Sequence, residues 1–298
     1  MMGNRFEITV VSENKEWALV RIEKAYAEIE RIEKLLTTFD ESSQTNLINH
    51  NAGIAPVEVD EGVYSLIDRS IRISNITQGA FDLSYGSFDK RLWNFDKEMK
   101  ELPDPATAKS LVRLINYHNI TLDPKNHTVF LKEKGMRIGF GGIGKGYAAD
   151  RAKTILQNNC VESGIVNAAG DLIAWGNQPD GKPWTIGIAD PDSARHPFSS
   201  LSISNMAVAT SGNYEKFVMI GGKKYSHTID PKTGLPVSGI KSTTIIAPYA
   251  ELADAMATPV MVMGIEAGLD MINQIKGLAC ILIDEENRIY KSNNINLQ

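Results

Sequence analysis

Asp254 and Thr258 lie four residues apart in Glu251-Leu252-Ala253-Asp254-Ala255-Met256-Ala257-Thr258, so on a helix their oxygen groups share one face. A carboxylate beside a hydroxyl suits a hard cation such as Mg²⁺, which keeps several waters and shares its ligands with substrate phosphates. The pair also has ordinary structural uses. An acid in a first helical turn is favoured by the helix dipole, and a helical threonine often bonds the preceding turn.

The densest glycine cluster is Gly139-Phe140-Gly141-Gly142-Ile143-Gly144-Lys145-Gly146, and it leads into a helical pattern. Free N–H groups and the helix dipole make such a turn a cradle for phosphate. The cluster satisfies G-x-G-x-x-G and nearly satisfies the P-loop, but both matches break at the residues that carry the chemistry. Gly146 stands where the P-loop needs Ser or Thr for Mg²⁺. A dinucleotide site wants an acid about 20 residues on to hold the ribose. Asp171 lies further away, behind a second small-residue turn, Ala168-Ala169-Gly170. A close-packed strand-to-helix turn with no ligand accounts for the glycines as well.

A third segment, Tyr225-Ser226-His227-Thr228-Ile229-Asp230-Pro231-Lys232-Thr233-Gly234-Leu235-Pro236, places a histidine among turn-forming residues. An imidazole held there can accept a proton near neutral pH, or it can simply brace the turn. His50, His118, His127 and His196 show no metal-ligand spacing. Upstream, Ala209-Thr210-Ser211-Gly212-Asn213-Tyr214 is another small polar turn with free hydroxyls.

The elements that must position these groups read as a mixture. Phe6, Ile8 and Val10 alternate as in a strand. Leu19, Ile22, Tyr26, Ile29, Ile32 and Leu36 recur at three and four, the face of a long amphipathic helix. The Ser-, Thr- and Asn-rich stretch 37–53 reads as a loop, and 62–78 as a helix. Asp104-Pro105 opens a helix to about residue 115. Further strands are expected at 128–131, 164–167, 185–189, 243–247 and 279–283, and helices at 145–157, 252–263 and 266–276. Pro259 should kink or end the second of these. Strands and helices without strict alternation give an α+β fold, with mixed, largely antiparallel sheets and packed helices.

With 298 residues, 43% of them hydrophobic, the chain can build a core as one domain over 2–298 or as two lobes. A net charge of −5 argues against both disorder and a nucleic-acid partner. Cys160 and Cys280 read as two buried thiols, and no run is long and apolar enough for a transmembrane span.

Taken in order, these segments resemble the ApbE family, the FAD:protein FMN transferases. The matching pieces begin with Met2-Gly3-Asn4, Thr37-Thr38-Phe39, Gly79-Ala80-Phe81-Asp82 and Leu92-Trp93-Asn94-Phe95. They continue through the glycine loop to Arg151, Asn167-Ala168-Ala169-Gly170-Asp171, the Ala209–Tyr214 turn, the histidine turn and Ala253–Thr258. Their order and spacing span nearly the whole chain.

The resemblance implies FAD in a nucleotide cleft between two lobes, with Mg²⁺ at its pyrophosphate. FMN would pass to a Thr or Ser hydroxyl of an acceptor flavoprotein subunit as a phosphoester, releasing AMP. On matching positions Met2, Phe39, Ala80, Phe81, Asp82, Lys145, His227 and Thr228 would contact the flavin nucleotide. Asp254 and Thr258 would ligate the metal by their side chains and Gly142 by its carbonyl, with His227 as candidate base. Gly139 replaces the family's acid before the loop, removing one nucleotide contact, and Asn4 replaces a common threonine. Members are often exported or lipid-anchored. A periplasmic or membrane-anchored location is expected if a leader has been removed, and a cytoplasmic one if the chain is complete.

The chemistry agrees with the residues. Cleaving a pyrophosphate needs positive charge on oxygen, from Mg²⁺, Lys145 and N–H groups. No nucleophile elbow is present, which suits direct transfer. The rival readings are an Mg²⁺-dependent FAD pyrophosphatase using the same residues and a protein that stores FAD without chemistry. A nicotinamide oxidoreductase is disfavoured by the missing acid.

Overall fold

The computed structural model describes residues 1–89, 101–190, 193–212, 217–226 and 228–295, with backbone alone at 189–190 and 193–199. His227, Asn213-Tyr214 and the Leu92–Phe95 segment lie outside them. The chain opens with β1 (Phe6–Val10), α1 (Lys15–Leu36), α2 (Gln44–His50), β2 (Val57–Glu58) and α3 (Glu61–Ile76). It continues through α4 (Pro105–Leu111), β3 (Ile120–Asp123), β4 (Thr128–Leu131), α5 (Gly144–Asn158), β5 (Gly164–Ala168) and β6 (Asp171–Trp175). Then come β7 (Trp184–Asp190), β8 (Ser193–Ile203), β9 (Met206–Gly212), β10 (Phe217–Ile220), β11 (Lys223–Ser226) and β12 (Ile240–Ala247). The chain closes with α6 (Ala250–Met263), α7 (Ile265–Gln274), β13 (Ala279–Asp284) and β14 (Ile289–Lys291).

The main sheet has seven strands in the order β1-β5-β6-β9-β12-β13-β14, and every pairing in it is antiparallel. Alternation along the strands assigns its faces. Ile173 and Trp175 of β6 join Ala207 and Ala209 of β9 under the helices, in the main core. Leu172, Ala174 and Val208 point the other way, against Trp184, Ile186 and Ile188 of the β7–β8 ribbon. Asp171 shares its parity with Ile173, so it stands on the helix side, where α5 and α6 pack against β5, β6, β9 and β12. This is the expected α+β fold with antiparallel sheets.

Several expectations change in detail. The stretch 37–53 contains a helix, α2, capped by Ser43, whose Oγ accepts the Asn46 N–H at 3.1 Å. Its asparagines are brackets rather than loop polarity: Asn49 exchanges hydrogen bonds with the Ile138 backbone at 3.1 and 2.7 Å. Helix α4 stops at Leu111, short of residue 115, while its Asp104 cap holds as read. Helix α6 runs through Pro259 without ending. Leu19 is exposed and Ala25 takes the buried face of α1. Cys160 is exposed beyond the end of α5, and only Cys280 is buried. Among the described residues no helix is long and apolar enough to cross a membrane.

Candidate active site

The glycine loop ends where α5 begins, and neither α5 nor α6 has a side-chain cap of its own at its N-terminus. Each is capped by the other. Asp254 of α6 accepts the Gly146 N–H at 3.0 Å, in the first turn of α5. Asp150 of α5 accepts the N–H groups of Ala250 and Glu251 at 3.0 and 2.9 Å, in the first turn of α6. Orphan donors that would otherwise need water are satisfied in both directions.

The two helix starts meet so closely that a Cβ on Gly146 would lie 2.2 Å from the Ala250 carbonyl oxygen. That contact is the physical reason for glycine where a P-loop would carry a hydroxyl. Burial raises the Asp150 carboxyl to about 6, although its two N–H donors pull the other way.

Lys145 reaches into this junction. Its ammonium pairs with Asp171 and, at 3.3 Å, with Oδ1 of Asp254. Asp171 is fixed by the hairpin turn before it, where Ala169 and Gly170 have φ of 55° and 98°. Its other oxygen accepts the Thr210 N–H at 3.3 Å. Burial opposes the charge on Lys145, but the two carboxylates outweigh it and raise its pKa. Burial and the neighbouring Asp254 push Asp171 up to about 6. Two acidic side chains thus face one ammonium in this junction.

Thr258 follows Asp254 by one turn on the same helix and is half-buried. Gly142 is in the loop beside Phe81, whose Cε2 lies 3.7 Å from where a Gly142 Cβ would be. The Met2 methyl lies 3.2 Å from the equivalent point on Gly144, so Met2 and Phe81 both stand at the loop. Phe81 and Ala80 are buried, and the Phe81 N–H donates to Thr77 Oγ1 at 3.1 Å. Asp82 spends its carboxylate on its own fold. Ser84 donates to one oxygen from N–H and hydroxyl at 2.8 and 2.6 Å, and the Tyr117 N–H to the other at 3.0 Å. Thr228 is buried with its hydroxyl toward the sulfur of Met261, on α6 beyond Thr258, at 3.8 Å. Phe39 touches little: it is 99% exposed within the connection from α1 to α2.

The structure therefore joins Lys145 to Asp254, with Thr258 one turn further along α6, sets Met2 and Phe81 against the glycine loop, places Thr228 against α6, and leaves Phe39 exposed. Asp171 and Asp150 are the contributors that sequence spacing did not single out. The sequence profile of the ApbE family matches residues 2–282. The chain belongs to the ApbE family.

Relatives within that family agree. The FAD:protein FMN transferase of Treponema pallidum (strain Nichols) is 30% identical over 289 residues, covering 92% of this chain and 80% of that protein. The crystal structure of the ApbE protein of Thermotoga maritima matches with a TM-score of 0.86 and 32% identity, over 98% of this chain and 94% of that one. The apo flavinyl transferase ApbE of Pseudomonas stutzeri matches with a TM-score of 0.85 and 26% identity, over 98% and 92%. Gly139, at the head of the glycine loop, packs close to Gly86: a Cβ there would lie 3.9 Å from the Gly86 Cα.

Proposed function

We propose that this chain moves FMN from FAD to a Thr or Ser hydroxyl of an acceptor protein, in an Mg²⁺-dependent step that releases AMP. As an ApbE enzyme it is a flavin transferase by family. The observation that carries the finer reading is the joined helix start, where Asp254, Asp171 and Lys145 meet beside the glycine loop.

The donors there fit Mg²⁺. Among the described residues no group of three or more His, Cys, Asp or Glu is arranged to hold a metal. The set of Asp254, the Thr258 hydroxyl and the Gly142 carbonyl is all hard oxygen and leaves positions for substrate phosphate and water. When bound, the ion neutralises charge developing on the pyrophosphate oxygens.

The chain's own groups do the rest. Lys145 brings a second positive charge toward phosphate, kept ionised by its two carboxylates. His227, between the described Ser226 and the buried Thr228, takes the proton of the incoming hydroxyl. Neither cysteine is placed to form a covalent intermediate: Cys160 lies beyond the far end of α5 from Lys145, and Cys280 lies in β13 with its thiol pushed by burial to about 12. That supports attack by the acceptor hydroxyl itself.

Incubation with FAD and Mg²⁺, with and without an acceptor subunit carrying a flavinylatable threonine, tests the reading. AMP formed only with acceptor, and flavin retained on it after denaturation, is expected. AMP without acceptor would replace transfer by pyrophosphate hydrolysis, and no AMP in either case would leave a storage protein.

A further inference from the structure

We propose that Asp171 is a positioning residue that draws the Lys145 ammonium away from Asp254, keeping that carboxylate available to a divalent cation. The proposal rests on the metal reading above. Lys145 is ion-paired with Asp254 and competes for the same oxygen, Oδ1, that Gly146 leaves free. Its ammonium pairs with Asp171 as well as with Asp254.

Asp171 is built to stay where it is. Its side chain is 6% exposed, its second oxygen accepts the Thr210 N–H, and β6 pairs Asp171 with Ala168 across a two-residue turn. Thr210 is fixed in turn, paired with Thr244 in the β9–β12 register, with their hydroxyls 2.9 Å apart. Lys145, on a flexible stem, is the partner that can move. A divalent ion at Asp254 repels the ammonium, which then has a buried carboxylate to retreat to within the cleft. There it remains at hand for the substrate's phosphates. Without Asp171, the ammonium would fall wholly to Asp254 and the metal would have to displace it.

A double-mutant cycle on metal binding separates this from the simpler idea that Asp171 is itself a ligand. The probe is Mn²⁺ alone, without FAD, its bound fraction read by electron paramagnetic resonance, with melting temperature recorded for each variant. Asp171→Asn should weaken Mn²⁺ about tenfold, and Lys145→Met should tighten it. In the Lys145→Met background, adding Asp171→Asn should change affinity by less than about threefold, because no competitor remains. Asp171→Glu, which keeps the charge, should restore most of the affinity and serves if the asparagine variant does not fold.

An equal loss from Asp171→Asn in both backgrounds would make Asp171 a ligand and overturn the proposal. So would wild-type Mn²⁺ affinity in Asp171→Asn, or no tightening in Lys145→Met. Failure of the unaltered protein to bind Mn²⁺ at all would overturn the metal reading as well, whereas binding without the coupling strikes this proposal alone.

Discussion

Asp150 and Asp254 sit on different helices, and each accepts N–H groups from the first turn of the other's helix. One side chain therefore has two duties: Asp254 completes the start of α5 and also offers its remaining oxygen to the site. The two duties respond differently to substitution. Asp254→Asn keeps an acceptor for Gly146 and should lose Mn²⁺ binding and transfer with little change in stability. Asp254→Ala should lose both, with a further stability cost of about 1 kcal/mol for the missing cap. Urea denaturation beside metal titration checks the split, and retained metal-dependent AMP release in either variant would refute the ligand role.

Gly146→Ala has no room. The added methyl would meet the Ala250 carbonyl, so α5 and α6 must part. We expect a loss on the order of 2–4 kcal/mol. Mn²⁺ affinity should fall with it, since the Gly146–Asp254 hydrogen bond cannot survive the separation. A wild-type melting temperature would show that the helices are free to shift.

Asp150 gives the fold a pH response of definite sign. Its carboxyl is raised from 3.8 to about 6, so the folded state holds the proton more tightly than the unfolded chain. Its contribution is fully present below the unfolded value and is lost as pH rises through the folded one. Asp150→Asn cannot ionise there. The stability of the parent relative to this variant should fall by on the order of 1–3 kcal/mol between about pH 4 and pH 7. Denaturation curves at several pH values measure it, and parallel profiles would count against the assignment.

For His227, the expected effect of His227→Ala is a transfer rate lower by roughly 10²- to 10⁴-fold at saturating FAD, with FAD and Mn²⁺ affinity largely kept. Stability and FAD affinity lost together, with near-normal transfer once FAD saturates, would reduce the histidine to a brace of the Asp230-Pro231 turn.

Phe39 offers a clean separation of binding from folding. It is 99% exposed, so Phe39→Ala should leave the melting temperature unchanged. If the ring stacks on the flavin, FAD affinity should drop by about 2- to 10-fold, the scale of one aromatic contact. Unchanged quenching of flavin fluorescence on titration would remove Phe39 from the site.

What the sequence disclosed follows from how local each signal is. The periodicity of α1, the Asp104 cap and the strand at Thr128–Leu131 are written in neighbouring residues, and they are found where read except that Leu19 of α1 is exposed. Helix α2 was hidden because its asparagines face inward to bond backbone, which composition cannot distinguish from loop polarity. Asp254, Thr258 and the glycine loop were legible as motifs. Asp171 stood in a family-like segment, but its partnership with Lys145 did not show there, because strand parity and the Ala169-Gly170 turn create it rather than spacing. Gly146 was visible only as a missing hydroxyl, and its reason lies in a helix that begins more than a hundred residues later.

That distance has a consequence for how the site comes into being. The ion pairs of Lys145 join residues 26 and 109 positions apart. A ribosome that has released α5 and β6 has made a lysine and one carboxylate, with the start of α5 still bare. Contacts of such long sequence separation form late, after loop closure has been offset by the rest of the sheet. The junction of Lys145 with Asp171 and Asp254 is thus expected to be among the last parts of the molecule to form. A chain interrupted before α6 would carry the glycine loop and still lack the carboxylate that caps α5 and meets Lys145.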